Sequence, residues 1–551
     1  MPALLLLLPV ALLAAGAALA WAIQVPAPGS GRAIAALFAW AALLATIAIW
    51  APQRTPLDLT VGELGAGVRL AIRLDAVSFA FGLFVLLPAA LLLTFSRSPS
   101  PPIALLGTAA SLFTLQASGL LLAAFGWGAT LMAVAVLLQA GGEAKPMTTR
   151  LRDQGALLCL LWAGAAIFAR AGTDQYAAIP VSALQPQLFA LVALASLLAS
   201  GLVPWKSWPA ALWERLRPET AGPATALLFF TGFYFLVRMY QAGDGHFPAA
   251  NISNPLLAAL GTLCAIAASL RAQAAATRRA YLGETLPIAG GFALLALGLG
   301  TPLGVTAAIG TLAGAALLLA LLPLVPEEAL SGPVMAVLVL TVGLPPTVVF
   351  GTRLLDLQAA VEANELAGFL ALGAAAAWVI GIAAAARAVR LSPRREAPTG
   401  SRAAALGVAA VVAAGGAGLG AFQSAIAIPA AATVISFPGT ALTGGLYAAD
   451  AASGGWPAVA LGGLLALAVL VLAFLGRRSA VPSLPASEPE PFFQPSWRSL
   501  PDRLGALADA LEVPTEFRVT GWKQVDLALT RGSIWLWLAV FAVLALVLTR
   551  W

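Results

Sequence analysis

Apolar runs of about twenty residues, each long enough to cross a bilayer, fill most of the chain and are parted by short polar breaks. Sixteen candidate spans can be marked, at 3–23, 32–50, 76–97, 103–118, 120–139, 153–171, 184–204, 221–241, 254–274, 285–301, 303–324, 332–350, 366–388, 403–422, 456–476 and 532–549. This predicts an all-α integral membrane protein of about 16 transmembrane helices. One interruption has a different period. LDLTVGELGAGVRLAIRLD alternates apolar and polar positions, which predicts a short hairpin outside the membrane. Asp75 follows it as the expected cap of the third span. Residues 477–531 are proline-rich, and within them WRSLPDRLGALADALEV has helical apolar spacing. That stretch predicts a lateral amphipathic helix lying on the membrane or on a partner. The opening PALLLLLPVALLAAGAALAWAI lacks a basic leader and reads as a first span, not as a cleaved signal.

Composition narrows the class. Of 551 residues, 60% are hydrophobic and 10% charged, against about 25% charged in soluble domains. The net charge of +6 is spread over the loops between spans, so nucleic acid is excluded as a partner and the lipid bilayer is the expected one. Connections after odd-numbered spans hold 23 of the 30 Lys and Arg residues, which places them in the cytoplasm. The chain is then a multi-pass protein of the inner (plasma) membrane with both termini outside. Cys159 and Cys264 lie in apolar runs with no CxxC partner, and His246 is the only histidine. With no phosphate loop, dinucleotide fingerprint or catalytic triad, no metal and no cofactor is expected.

Two spans are interrupted. The seventh ends LLASGLVPWKSW at Pro204, and the twelfth runs VLTVGLPPTVVFGTR through Pro345 and Pro346. Proline breaks a helix, and a break within a bilayer persists only where protein or water satisfies the freed backbone. The breaks sit five spans apart, so two inverted five-helix repeats would each carry one, a pattern that points to an ion path. The plainer reading is that Pro and Gly are simply commoner in membrane helices. The organisation that follows is 1–102 for the first spans and hairpin, 103–241 and 254–388 for the repeats, 403–476 for peripheral spans, 477–531 for the linker and 532–551 for the last span.

From Pro204 to Arg238 the chain resembles the antiporter-like subunits of respiratory complex I, energy-converting membrane hydrogenases and Mrp-type cation/proton antiporters. Their pattern P-x-H-x-W-L-P-D-A, P-x-S-A, G-x-Y-x-x-x-R is matched by Pro204, Trp208, Pro218, Ala221, Gly232, Tyr234 and Arg238. GLPPTVVFGTR resembles the second broken helix, Arg278 and Arg279 a divergent lysine–arginine segment, and RLDAVSFAFGLFV the entry to the third span. The resemblance implies a membrane-arm subunit of a complex I-like or hydrogenase-like assembly, itself without a redox cofactor.

The relay positions that the resemblance implies are changed. The fifth-span glutamate position is Gly128, the seventh-span lysine Ala199, and the eighth-span histidine or lysine falls at Ala224 or Phe230. Arg353 alone keeps a charge, and the loop histidine position is Lys206. An arginine stays protonated and is a poor relay member. Arg353 either faces the carbonyl end of a half-helix or snorkels to the outer surface. Lys206 and Glu214 belong either to a cytoplasmic ion mouth or partner contact, or to a solvated loop. Glu284 and Asp153 are expected near the interface, Trp205, Trp208 and Trp213 at the headgroup level, and Arg238 completes the candidate path. Four functions stay open: an ion-translocating membrane-arm subunit beside other membrane subunits, a non-conducting structural subunit, the membrane partner of an inorganic-carbon uptake complex with a soluble zinc protein, and, more weakly because the spans hold no polar cluster for a substrate, an independent secondary transporter. In the first three, the chain is a non-catalytic subunit more than an enzyme by itself.

Overall fold

The computed structural model describes residues 2–24, 30–64, 68–95, 100–142, 147–202, 208–243, 250–275, 277–321, 343–344, 347–390, 407, 410–412, 414–437, 442–444 and 449–451. A 3-10 turn over Pro2–Leu7 leads into α1 (Leu8–Gln24), followed by α2 (Ser30–Trp50). Strands β1 (Leu57–Leu64) and β2 (Val68–Leu74) pair antiparallel with a bulge between Thr60 and Gly62, which bears out the alternating hairpin. The first half of the helical body is α3 (Ala76–Phe95), α4 (Pro101–Gln116), α5 (Leu120–Ala140), α6 (Met147–Ala171), α7 (Pro186–Ser200), α8 (Trp208–Arg215) and α9 (Pro218–Ala242). The second is α10 (Ala250–Ala274), α11 (Arg278–Gly298), α12 (Pro302–Leu321), α13 (Val348–Ala363) and α14 (Glu365–Arg390). Two helical pieces follow, Leu419–Phe422 and Ile428–Val434, joined by a π turn over Gln423–Ala427, and then a short pair of strands, Leu442–Gly444 and Ala449–Ala451.

Among the described residues nine helices are long and apolar enough to cross a membrane, or ten if one bent pair is a single span. Two more apolar helices, Gly155–Ala171 and Pro186–Ser200, are shorter. The predicted spans at 456–476 and 532–549, the linker 477–531 and most of 332–350 lie outside the described residues.

α9 is buried along its whole length, with α3, α4, α5 and α7 around it. α12 joins the halves by packing on α3 and α9 on one side and on α11 and α13 on the other. The outer wall presents apolar side chains such as Leu37, Phe125, Met132, Trp162 and Phe369, as lipid-facing helices do. Lipid is as apolar as leucine, so the helices are held by close packing rather than by hydrophobic expulsion. α10 and α11 show it: a Cβ on Gly291 would lie 2.5 Å from the Ala265 nitrogen. Glycine is required there by proximity alone.

The end of α7 has a different cause from the one its sequence suggested. Gly201 adopts φ 70°, its N–H donates to the Leu198 carbonyl, and the Leu202 N–H donates to Leu197. This paired closure is a Schellman stop, which glycine permits because it has no Cβ. The helix is therefore over before Pro204, which lies outside the described residues, as do Trp205, Lys206, His246, Pro345 and Pro346.

Candidate functional site: a dry half and a charged half

The changed relay positions of the first half lie in a packed interior. Ala199, Ala224 and Phe230 are all buried, and Gly128 is half-buried on α5. Aromatic rings fill the space around them. Phe230 lies 5.8 Å from Phe84 and 5.3 Å from Phe229, and Trp127 meets Phe235 edge-on at 5.9 Å. The hydroxyls of this interior turn to backbone: Ser196 donates to the Val192 carbonyl, Thr225 to Ala221, and Ser200 to Phe229 across the helix pair. Nothing described in this interior offers a proton station.

At the hairpin end of that half stands one buried ionic cluster. Asp75 accepts from Arg238 through both oxygens, at 2.6 Å and 2.8 Å. The Arg238 Nε donates to the Tyr234 hydroxyl, which in turn donates to the Leu115 carbonyl, and Gln241 takes a further Arg238 hydrogen. Asp75 also caps α3 by accepting the Ser78 N–H at 2.9 Å, as its position predicted. Burial by itself would raise its pKa, but Arg238, the Ser78 N–H and Arg73 outweigh that and hold it down to about 2. Arg238 thus clamps α9 to the start of α3, and Asp75 carries the link on to Arg73 of β2 at 3.3 Å.

The second half is charged within. Arg271 at the end of α10 grips Glu284 of α11 by two hydrogen bonds of 2.9 Å and 3.0 Å. Glu284, expected near the interface, is 7% exposed, and its partner permits its burial. Glu214 is exposed at the end of α8, which packs on α11. α8 holds both described tryptophans inward: Trp208 and Trp213 are buried, with Trp213 against Gly283, and neither is an exposed anchor.

Arg353 is the other correction. The predicted span ended at 350, with Arg353 on the outer connection. Instead α13 continues buried from Val348 to Ala360. Arg353 is 4% exposed and lies 3.8 Å above the Phe292 ring. Its Nη1 is 3.6 Å from Oδ2 of Asp356, an ion pair too long for a hydrogen bond. Oδ2 of Asp356 accepts from the Thr311 hydroxyl of α12 at 2.7 Å. Further along, the Gln358 amide donates to Glu362 at 2.9 Å. A cavity of about 20 Å³, edged by Arg353, Tyr281, Thr285 and Trp378, opens between α11, α13 and α14. That is space for about one water. Sequence reading passed over Asp356, although an acid three residues after an arginine in a buried helix was the available signal. Among the described residues no group of three or more His, Cys, Asp or Glu side chains is placed to hold a metal. Asp153 lies in α6.

No family model matches the sequence, and no curated protein matches it. Solved structures do. A chain of the Mrp complex from Dietzia sp. DQ12-45-1b aligns with TM-score 0.70 at 21% identity, over 98% of this chain and 62% of that one. The present chain therefore spans about three fifths of its length. The membrane-bound sulfane sulfur reductase, an archaeal respiratory membrane complex, contributes a chain at TM-score 0.68 and 19% identity, covering 97% of this chain and 91% of that chain. A chain of respiratory complex I from Thermus thermophilus with bound NADH gives TM-score 0.65 and 22% identity, covering 79% and 99%. At these identities the likeness is one of fold. It bears out the resemblance at that level: the chain has the fold of the antiporter-like membrane subunits.

Proposed function

We propose that this chain is a membrane-arm subunit of a multi-subunit cation-translocating assembly, complex I-like or hydrogenase-like, and that any ion route runs through its second half alone. The observation that carries this is the buried Arg353–Asp356 pair, 5% and 0% exposed at the side chains. Charge within a membrane is costly and is kept where it is used or paired. Arg271–Glu284, the cavity, Arg353–Asp356 and Gln358–Glu362 form a polar series along α11 and α13. In the first half the buried charge gathers instead at the hairpin end, where Arg238 and Asp75 close on each other by two hydrogen bonds. The proposal keeps 16 spans in two inverted repeats, an inner-membrane location and termini on the outer side, supported by the apolar runs, the spacing of the breaks and the distribution of Lys and Arg.

A second reading has its own support. The dry first half suits a structural subunit that binds its neighbours without conducting. A mild-detergent purification of the tagged native complex, with mass spectrometry of what co-purifies, tests both. Iron–sulfur or hydrogenase-like subunits beside other antiporter-like chains support the redox-driven assembly. A soluble zinc protein as sole partner indicates the carbon-uptake complex instead, and a chain that purifies alone rules out every subunit reading.

A further inference from the structure

We propose that Asp356, and not Arg353, is the proton-holding group of the second half, with Arg353 as its fixed counter-charge. This rests on the reading of the second half as an ion route. A guanidinium stays protonated in a protein, so a charge that changes must sit elsewhere. Arg353 is held against the Phe292 ring at 3.8 Å, where cation–π attraction favours a permanent cation. Asp356 is fully buried, and only one of its oxygens is occupied. Oδ2 accepts from Thr311 at 2.7 Å, while Oδ1 has no hydrogen-bond partner. A buried carboxylate oxygen without a donor is costly, and a proton placed there relieves the cost.

The groups packed around the pair leave Asp356 few rivals. From its own helix comes Arg353, from α12 Thr311, from α11 Phe292 beneath the guanidinium, with Tyr281 and Thr285 across the cavity, and from α14 Trp378. Arg353 is the ionic member of this set, and the second ionic pair, Arg271–Glu284, is closed on itself by two hydrogen bonds. The step is a proton transfer. Hydronium gives its proton to Oδ1, leaving water and a neutral carboxylic acid, and the reverse transfer to another water restores the carboxylate beside Arg353. The cavity has room for about one water and is edged by Arg353, one helical turn from Asp356, which does not itself line it.

The test uses the full-length chain with its co-purifying subunits, reconstituted in liposomes. Infrared difference spectra across a pH step are recorded beside proton flux. The expected result is a carboxylic-acid C=O band that is lost in Asp356→Asn and returns, shifted, in Asp356→Glu, with flux in Asp356→Asn down about 100-fold. A band and flux unchanged in Asp356→Asn overturn the proposal and leave the ion route standing. An Asp356-dependent band without wild-type flux keeps Asp356 as the proton holder and sinks the ion route instead. Should Asp356→Asn fail to assemble, Thr311→Val decides: a moved band supports the proposal and an unmoved one overturns it.

Discussion

Arg238 and Asp75 stand 163 positions apart and meet in a two-pronged ion pair that leaves both almost wholly enclosed. Removing one partner strands the other charge in a dry interior. Arg238→Ala is expected to lower stability by about 3–5 kcal/mol, read as the unfolding midpoint in detergent. Replacing both residues by apolar ones is expected to cost less than that single change. A loss in the double variant equal to the sum of the losses in Arg238→Ala and Asp75→Ala would show that the charges do not couple.

The same pair sets an acid limit. Asp75 falls from 3.8 to about 2 on folding, so the folded state favours its ionised form. A depressed acid contributes stability above its unfolded pKa and loses it as pH falls through the folded value. The contribution, about 2 kcal/mol, is thus complete above pH ~4 and gone near pH ~2. Unfolding midpoints followed over that window are expected to drop in the wild type and to change less in Asp75→Asn.

Restoring the lysine that the family resemblance implies on α7 is expected to harm the protein without opening a path. Ala199 sits where a Cβ on Gly232 of α9 would come within 2.9 Å, and no described acid faces it. Ala199→Lys is expected to cost several kcal/mol, on the order of an unpaired buried charge, with no gain in flux. A stable variant with new proton flux would show that the first half retains a latent route.

Gly201 ends α7 in a left-handed turn, and its missing Cβ would lie 2.5 Å from the Trp208 indole nitrogen. Gly201→Ala combines strain and clash, so a loss of at least about 1 kcal/mol is expected. A melting curve that matches the wild type would show that α8 can shift to make room.

Asp174 accepts the Leu121 N–H at 2.9 Å at the start of α5, serving as a cap supplied from another loop. Burial raises its pKa, yet the cap requires the oxygen as acceptor. Asp174→Ala is expected to cost about 1 kcal/mol, with faster amide exchange confined to the first turn of α5.

Several features were written in the chain itself. Apolar length specified the membrane class, the alternation of LDLTVGELGAGVRLAIRLD specified the hairpin, and Asp75 marked the start of α3, because these depend on neighbours a few positions away. Tertiary structure alone decided what the charges do. Arg238, Glu284 and Arg353 are all expensive in an apolar run until a partner arrives from another helix or, for Arg353, from the next turn and the Phe292 face. Trp208 and Trp213 read as surface anchors because indoles favour the interface, and they are buried because α8 lies on α11. The energy of a buried charge belongs to a pair and to its surroundings. Packing therefore decides where each charge sits: in the first half at the hairpin end, as Asp75–Arg238, and in the second within α13, as Arg353–Asp356.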